Sequence, residues 1–399
     1  MFVRAILKKA AMIFAFYRDP LFSCSVEKQK KYLDDLSEPQ DLIERSWLQY
    51  RCQMMLYGFA AKVALNILSI PFILIMFCRK GAETKIAHNG DDAISHRNKT
   101  VKAIFIREGK DKKVLPDSLS EEFNVVDDEH ISGSILLKED KKFLLRLLQR
   151  YPLSWHFVLK VQLKIAQYRY VVEEYAPAAL ICCSEYSFTS SAVTRWCRLN
   201  GVQHINVMHG EKLFYIRDSF FCFDRCYVWA DEYVDLFHAL RAEQSQFIVE
   251  VPPALRIDTN DIAPSKDFTY YLGGESGEKL YRIKNTLEKL VEKGFVVAVR
   301  PHPRYSNKEE IKRIFSELLV VEDSEKISIN ESIQSTRNAA SLYSTCLLQA
   351  YVNGVNACID DLSDPNWYLE LLKRQYVLAD LSSSRLSSFL GGLNDQNVS

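Results

Sequence analysis

Two histidines follow directly on strand-like runs. His209, in Met208-His209-Gly210-Glu211, comes after the run that begins at His204, and His302, in Arg300-Pro301-His302-Pro303-Arg304, comes after the run that begins at Phe295. A side chain at the carboxyl end of a strand projects into the crevice where open α/β sheets bind ligands. Imidazole changes charge near neutral pH and serves as acid, base or hydrogen-bond donor. Two such histidines in successive α/β halves predict one site shared by two domains.

The residues around them suggest phosphate chemistry. Pro301 and Pro303 stiffen an extended turn. On that turn His302 could donate to a departing phosphate oxygen, while Arg300 and Arg304 could offer bidentate charge. Ser344 and Thr345 follow the run Ser341 to Tyr343 and open an apparent helix, a place where hydroxyls and unpaired amides hold anions. Glu185, after the run Ala178 to Cys183, and His209 and Glu211, after the next, are three candidates for a base that deprotonates an acceptor hydroxyl. Each site has a plainer reading: Glu185 as a first-turn helix charge, Ser344 as an ordinary N-cap, the His302 turn as a basic surface loop. The remaining histidines have no partners at ligand spacing. The ten cysteines include no two CxxC pairs, so the expectation is packed, reduced thiols and no metal site, with Cys222 and Cys226 on one helical face.

Those residues need elements to hold them. From Val101 onward short β-rich runs alternate with helical stretches, the signature of parallel sheets. The runs at Val101–Ile106, Phe123–Val126, Ala178–Cys183, His204–Met208, Arg225–Trp229 and Gln246–Glu250 predict one sheet, with helical spacing over Lys141–Tyr175 and Ser190–Leu199. After Pro252-Pro253 and a polar connection, further strands are expected at Phe268–Leu272, Phe295–Val299, Ile327–Ile329, Ser341–Tyr343, Ala357–Ile359 and Tyr376–Leu378. No GxGxxG follows the first strand, which disfavours a nicotinamide dehydrogenase. The division is an N-terminal extension over 1–100, a first Rossmann-like domain over 101–260 and a second over 261–399. The predicted class is α/β, two facing Rossmann-like domains with an α-helical, partly membrane-prone extension.

The extension carries two apolar stretches. Residues 1–18 mix apolar side chains with Arg4, Lys8, Lys9 and Arg18, as an interfacial helix does. Residues 54–77 are long enough to cross a bilayer. Spanning would put the cationic start on the side opposite the α/β body, against the positive-inside tendency, so a monotopic or peripheral attachment is expected, with a buried helical hairpin as the alternative. Residues 82–100 read as a linker. The 51 basic and 51 acidic residues of the 399 balance, which argues against a nucleic-acid binder.

A strand ending in His302-Pro303, Ser344-Thr345 at a helix start and acidic residues on first-domain loops resemble the bacterial sialyltransferases of the two-Rossmann-domain (GT-B) glycosyltransferase type. The resemblance spans Val101 to Asp380. It implies that His302 contacts the phosphate of CMP-sialic acid and acts as acid, that Ser344 and Thr345 bind that phosphate, and that neither a metal nor another cofactor is required. The family's acidic motif is matched only by Arg107-Glu108-Gly109, which lacks the first acid, so the base stays open between Glu185 and Glu211. Met208-His209-Gly210 is also similar to the His-Gly element of enzymes that move polyol phosphates from CDP-linked donors, where that histidine is the base.

The expectation is therefore an inverting glycosyltransferase that moves sialic acid from CMP-sialic acid to a lipid-linked or oligosaccharide acceptor in O-antigen, lipopolysaccharide or capsule polysaccharide synthesis. It would work at the cytoplasmic face of the inner membrane. The alternatives are a CDP-polyol phosphotransferase or other nucleotide-sugar transferase, and, in another class, a non-catalytic sugar-nucleotide-binding assembly protein.

Overall fold

The computed structural model describes residues 24–78, 101–106, 111–128, 133–257, 263–381 and 383–391. The expectations for 1–18, 82–100 and 107–109 lie outside them. The chain forms two compact units. Unit 1 runs up to His209 and resumes over Tyr215–Glu250; unit 2 takes Gly210–Phe214 and the chain from Val251 onward.

The described residues of unit 1 open with the helices α1 (Val26–Asp34), α2 (Leu42–Met55) and α3 (Phe59–Cys78). Strands β1 (Val101–Ile106) and β2 (Phe123–Asp128) follow, then helices α4 (Lys138–Arg150) and α5 (Trp155–Tyr175), β3 (Ala179–Cys182), α6 (Ser190–Leu199), β4 (Gln203–Val207), β5 (Arg225–Val228), α7 (Asp231–Ala239) and β6 (Phe247–Val249). The strands make one sheet in the order β2-β1-β3-β4-β5-β6, with every pair parallel. Parallel sheets are covered on both faces, and β1 shows why its residues suit that place. Ile104 and Ile106 pack into a core with Leu180, Val161 and Trp196, while Ala103 and Phe105 pack into another with Ile181, Ile205 and Val207.

The helical spacing read over Lys141–Tyr175 resolves into two helices, because Pro152 follows Tyr151 and supplies no amide to continue α4. The two are tied by a buried cluster. Arg169 grips both oxygens of Asp140 at 2.9 and 2.8 Å, and the Trp196 indole donates to Asp140 at 2.8 Å. The first helices are built into the unit rather than appended to it: Gln49 on α2 donates to the Glu185 carbonyl at 3.0 Å, and Ser46 bonds the Phe188 carbonyl.

Unit 2 contains β7 (Lys266–Tyr271), α8 (Glu278–Glu292), β8 (Val297–Arg300), α9 (Lys308–Phe315), β9 (Val320–Val321), β10 (Thr336–Ser341), α10 (Thr345–Val352), β11 (Asn356–Ile359), α11 (Pro365–Lys373) and β12 (Ser384–Arg385). The sheet order is β12-β11-β10-β7-β8-β9, all parallel. Counted from β7, that is the 3-2-1-4-5-6 order of dinucleotide-binding folds, whose direction reverses between the first and fourth strands. Both units are thus Rossmann-like α/β layers.

Four sequence expectations change here. The strand expected at Ile327–Ile329 is a helix start, with Ser328 and Glu331 forming a capping box. The run Tyr376–Leu378 lies in a helical turn, Val377–Asp380. Residues 341–343 are the exit of β10 rather than a strand of their own. Cys222 and Cys226 share no helix, since Cys226 lies in β5 and Cys222 in the loop before it. Among the cysteines whose side chains are described, none is in a disulfide.

Candidate functional site

In unit 2 the sheet reverses direction between β7 and β10, so ligand chemistry is expected at the carboxyl ends of those strands and of their neighbours. His302, two residues past β8, and Ser344 and Thr345, just past β10, both fall there.

The turn after β8 is organised around the imidazole. Pro303 has no amide proton, so the next two amides turn back: those of Arg304 and Tyr305 donate to His302 Nδ1 at 3.0 and 3.3 Å. Nδ1 is an acceptor, which leaves the ring proton on Nε2. Burial, then the positive charge of Arg304, holds the His302 pKa below the ordinary histidine value of 6.5. The ring is therefore neutral at pH 7 and offers one N–H. Tyr305 lies against it at 4.5 Å between ring centroids. The backbone of the turn is pinned as well: His302 N donates to Ser306 Oγ at 2.8 Å, and Ser306 Oγ donates to the Gly273 carbonyl at 2.9 Å.

Through that last bond the His302 turn meets the Gly273-Gly274-Glu275-Ser276-Gly277 loop between β7 and α8. Glu275 folds back so that Gly273 N donates to its Oε2 at 2.6 Å. Burial raises the Glu275 pKa above the usual carboxylate range against the pull of backbone amides. This loop was missed in the sequence. Its signal was three glycines within five residues at a strand-to-helix turn, with Gly277 at φ 56° just before α8. Ser344 caps α10, accepting from Cys346 N at 3.2 Å, and Thr345 is the first helical residue.

Arg300 faces elsewhere. It is buried on β8, where its guanidinium donates to Glu322 at 3.0 Å and to the Ile327 carbonyl at 2.8 Å. Glu322 also receives Lys266 and, at 2.6 Å, the Ser332 hydroxyl. Burial opposes ionisation of Glu322, but Lys266, Ser332 and Arg300 outweigh it and hold the carboxyl below its ordinary range. The fork expected to grip a phosphate is thus engaged inside the unit, while Arg304 is exposed on the turn.

In unit 1 the sheet reverses between β1 and β3, and Glu185 lies three residues past β3. Its side chain is fully buried. Asn206 on β4 donates to Glu185 Oε2 at 3.2 Å, and Ser184 N fixes that amide by donating to Asn206 Oδ1 at 2.8 Å. Glu185 Oε1 lies 3.9 Å from His209 Nδ1, and the imidazole is partly exposed. The first expected base and the first expected histidine are therefore one pair, with the carboxylate beneath and the imidazole outward. Gln49 and Asn206, which hold the Glu185 backbone and carboxylate, were not read from the sequence; no local pattern marks them.

Glu211 belongs to unit 2. The segment Gly210–Phe214 is held there by Arg374, fully buried, whose guanidinium donates to the Phe214 carbonyl at 3.2 Å while its own carbonyl accepts from Phe214 N at 2.6 Å. Burial, followed by the nearby charges of Glu211 and Tyr343, pushes the Tyr376 hydroxyl well above its ordinary pKa. Glu211 is thus grouped with Tyr376 and Tyr343.

No family model matches the chain, and no curated protein does. Solved structures do. The glycotransferase of kitacinnamycin shares 9% identity over 72% of this chain and 86% of its own, with a TM-score of 0.42. The UDP-GlcNAc 2-epimerase from Neisseria meningitidis, bound to UDP-GlcNAc, shares 10% over 73% and 90%, with a TM-score of 0.40. The wall teichoic acid polymerase TagF shares 9% over 73% and 79%, with a TM-score of 0.36. The α/β architecture of each unit rests on its own strand order.

Proposed function

We propose that this chain is an inverting glycosyltransferase that takes its sugar from a nucleotide-activated donor, CMP-sialic acid being the donor its motifs fit best, and passes it to a glycan acceptor of O-antigen or capsule synthesis. The observation that carries the reading is His302. A neutral ring with its proton fixed on Nε2 presents one donor at the carboxyl end of β8, the strand next to β7 at the switch point, where a leaving phosphate oxygen needs one.

In the reaction an acceptor hydroxyl oxygen bonds to the anomeric carbon as the bond from that carbon to the phosphate oxygen breaks. The electron pair leaves with CMP. His302 Nε2–H donates to the departing oxygen, and Ser344 and Thr345 at the start of α10 bind the phosphate, so its charge needs no metal. The acceptor proton goes to a base, for which Glu185 and Glu211 are the candidates of this reading. Arg300 positions the His302 turn by anchoring the end of β8, and Arg304 is the free cation of that turn.

A second reading, transfer of a polyol phosphate from a CDP-linked donor, is favoured by the Glu185–His209 pair, since that chemistry uses the His-Gly histidine as base. Incubation of the purified chain with CMP-sialic acid, CDP-glycerol and UDP-sugars, each with a glycan acceptor and with or without EDTA, separates them. CMP release from CMP-sialic acid that survives EDTA is expected. Release from CDP-glycerol alone selects the second reading, and no release from any donor sinks both.

A further inference from the structure

Helix α3 is apolar around its whole circumference, with Lys62 as its one charged residue. Such a helix requires an apolar environment on every side. Among the described residues that environment is supplied on one side only. Ile73 is buried, and Leu65, Met76 and Phe77 pack with it against the core that contains Val158 and Val161 of α5. Away from that contact Phe59, Val63, Ile67, Leu68, Phe72 and Ile75 are between 40 and 82% exposed. Leu153, 85% exposed, and Trp155 extend the patch from the start of α5, and together with Val63, Ile67 and Ile70 they line an open trough of about 340 Å³. An apolar area of this extent marks a surface that water does not cover in the working protein.

Charge indicates what does cover it. The cations about the patch are Lys62, on the trough itself, Lys141, which donates to the Phe77 carbonyl at 2.9 Å, and Lys160, whose charge reaches His156 beside Asn66. Helix α3 carries no acid, and α5 carries none before Glu173. An apolar strip bordered by lysines complements the hydrocarbon and the headgroups of an anionic leaflet.

Packing decides between crossing the bilayer and lying on it. Helix α3 is joined to unit 1 near both ends: Asn66 Oδ1 accepts from His156 N at 3.1 Å at the start of α5, and the Phe77 carbonyl accepts from Lys141 at the start of α4. A spanning α3 would carry Lys160, Lys164 and the Asp140–Arg169 pair into hydrocarbon with it, at prohibitive cost. We propose that α3 lies in the plane of an anionic membrane leaflet, its exposed face sunk among the lipid chains and its inner face still packed on α5. This holds whichever donor the protein uses.

The test is flotation of the full chain with vesicles of phosphatidylcholine alone or mixed with phosphatidylglycerol. Co-flotation with the mixed vesicles, release by alkaline carbonate and weakening by salt are expected. The triple change L68Q, F72Q and I75Q should lower vesicle affinity by about a hundredfold with thermal stability retained. Should the triple variant fail to fold, Lys62→Glu, which leaves the apolar face intact, must still reduce the preference for phosphatidylglycerol. Failure to float overturns the proposal. So does resistance to carbonate, which means a spanning helix, and so does a lipid-free dimer that the L68Q change dissociates, which means a second copy covers the face.

Discussion

Glu185 Oε1 stands 3.9 Å from His209 Nδ1, and the same carboxylate is tethered through its other oxygen to Asn206 at 3.2 Å. A fully buried carboxylate behind a partly exposed imidazole orients the ring and supports positive charge on it when it takes a proton. On the polyol-phosphate reading His209→Ala is expected to lower kcat by about 10²–10⁴-fold, the usual worth of a general base. Glu185→Gln keeps the shape and the Asn206 contact, so it should lower kcat by about tenfold or more with KM nearly unchanged. Steady-state kinetics on the two variants check this; a loss confined to KM would remove Glu185 from the chemistry.

His302 makes a prediction about pH. Its pKa is depressed by burial and by Arg304, so the neutral form that donates from Nε2 persists below pH 6.5. Donor binding should therefore hold as the pH falls through 6.5 and fail only at lower values, when a second ring proton displaces the amides of Arg304 and Tyr305 from Nδ1. Arg304→Gln removes one of the two depressing influences and should move that acid limb upward. A pH profile of donor KM in the wild type and the variant measures the direction, and a downward move would refute the assignment. His302→Ala should abolish turnover with folding intact.

Arg300 separates structure from chemistry. Replacing it with Met leaves Glu322 buried with Lys266 and Ser332 alone, and loss of one partner of a buried pair costs about 3–5 kcal/mol. The double change R300M/E322L removes the stranded charge and should recover much of that stability. If Arg300 only anchors β8, the double variant keeps its donor KM within about threefold; a rise of about a hundredfold would mean that the guanidinium reaches the phosphate. Urea unfolding and donor KM are the two measurements.

His204 predicts how unit 1 responds to acid. Its ring is fully buried, with Nδ1 2.8 Å from Thr194 Oγ1, a hydroxyl that itself donates to the Cys222 carbonyl at 2.7 Å, so Nδ1 carries the proton of a neutral ring. Burial, then the charge of Lys164, pushes the pKa down from 6.5 to about 3. A depressed folded-state pKa means that the unfolded chain takes up the extra proton first. The stabilising contribution is whole above pH 6.5 and is lost progressively as pH falls toward 3, amounting to about 2 kcal/mol by pH 5. Thermal melts between pH 8 and pH 4 should fall less steeply in His204→Leu than in the wild type.

Much of the architecture could be read from the chain because parallel strands buried on both faces are short apolar runs, as Ala179–Cys182 and Val297–Arg300 are. The misreadings share a cause. Tyr376–Leu378 and Ile327–Ile329 are apolar triplets too short to show a period, and the Ser328–Glu331 capping signal outweighs the β-branched residues beside it. At the candidate site, position was legible and direction was not. His302, Ser344, Glu185 and His209 all sit where strand ends put them. That Arg300 turns inward depends on Glu322, a residue on another strand's exit that no local pattern connects to it. The Gly273–Gly277 loop was legible from its glycines and went unread because its spacing matches no nucleotide fingerprint.

The short segment Gly210–Phe214 has a consequence for biosynthesis. Phe214 leaves the ribosome 160 residues ahead of Arg374, the side chain that donates to its carbonyl. The second Rossmann-like layer is therefore discontinuous in the chain. It cannot be completed as an autonomous C-terminal product, and a gene fragment beginning at Val251 would translate a protein whose buried Arg374 guanidinium lacks the carbonyl it needs.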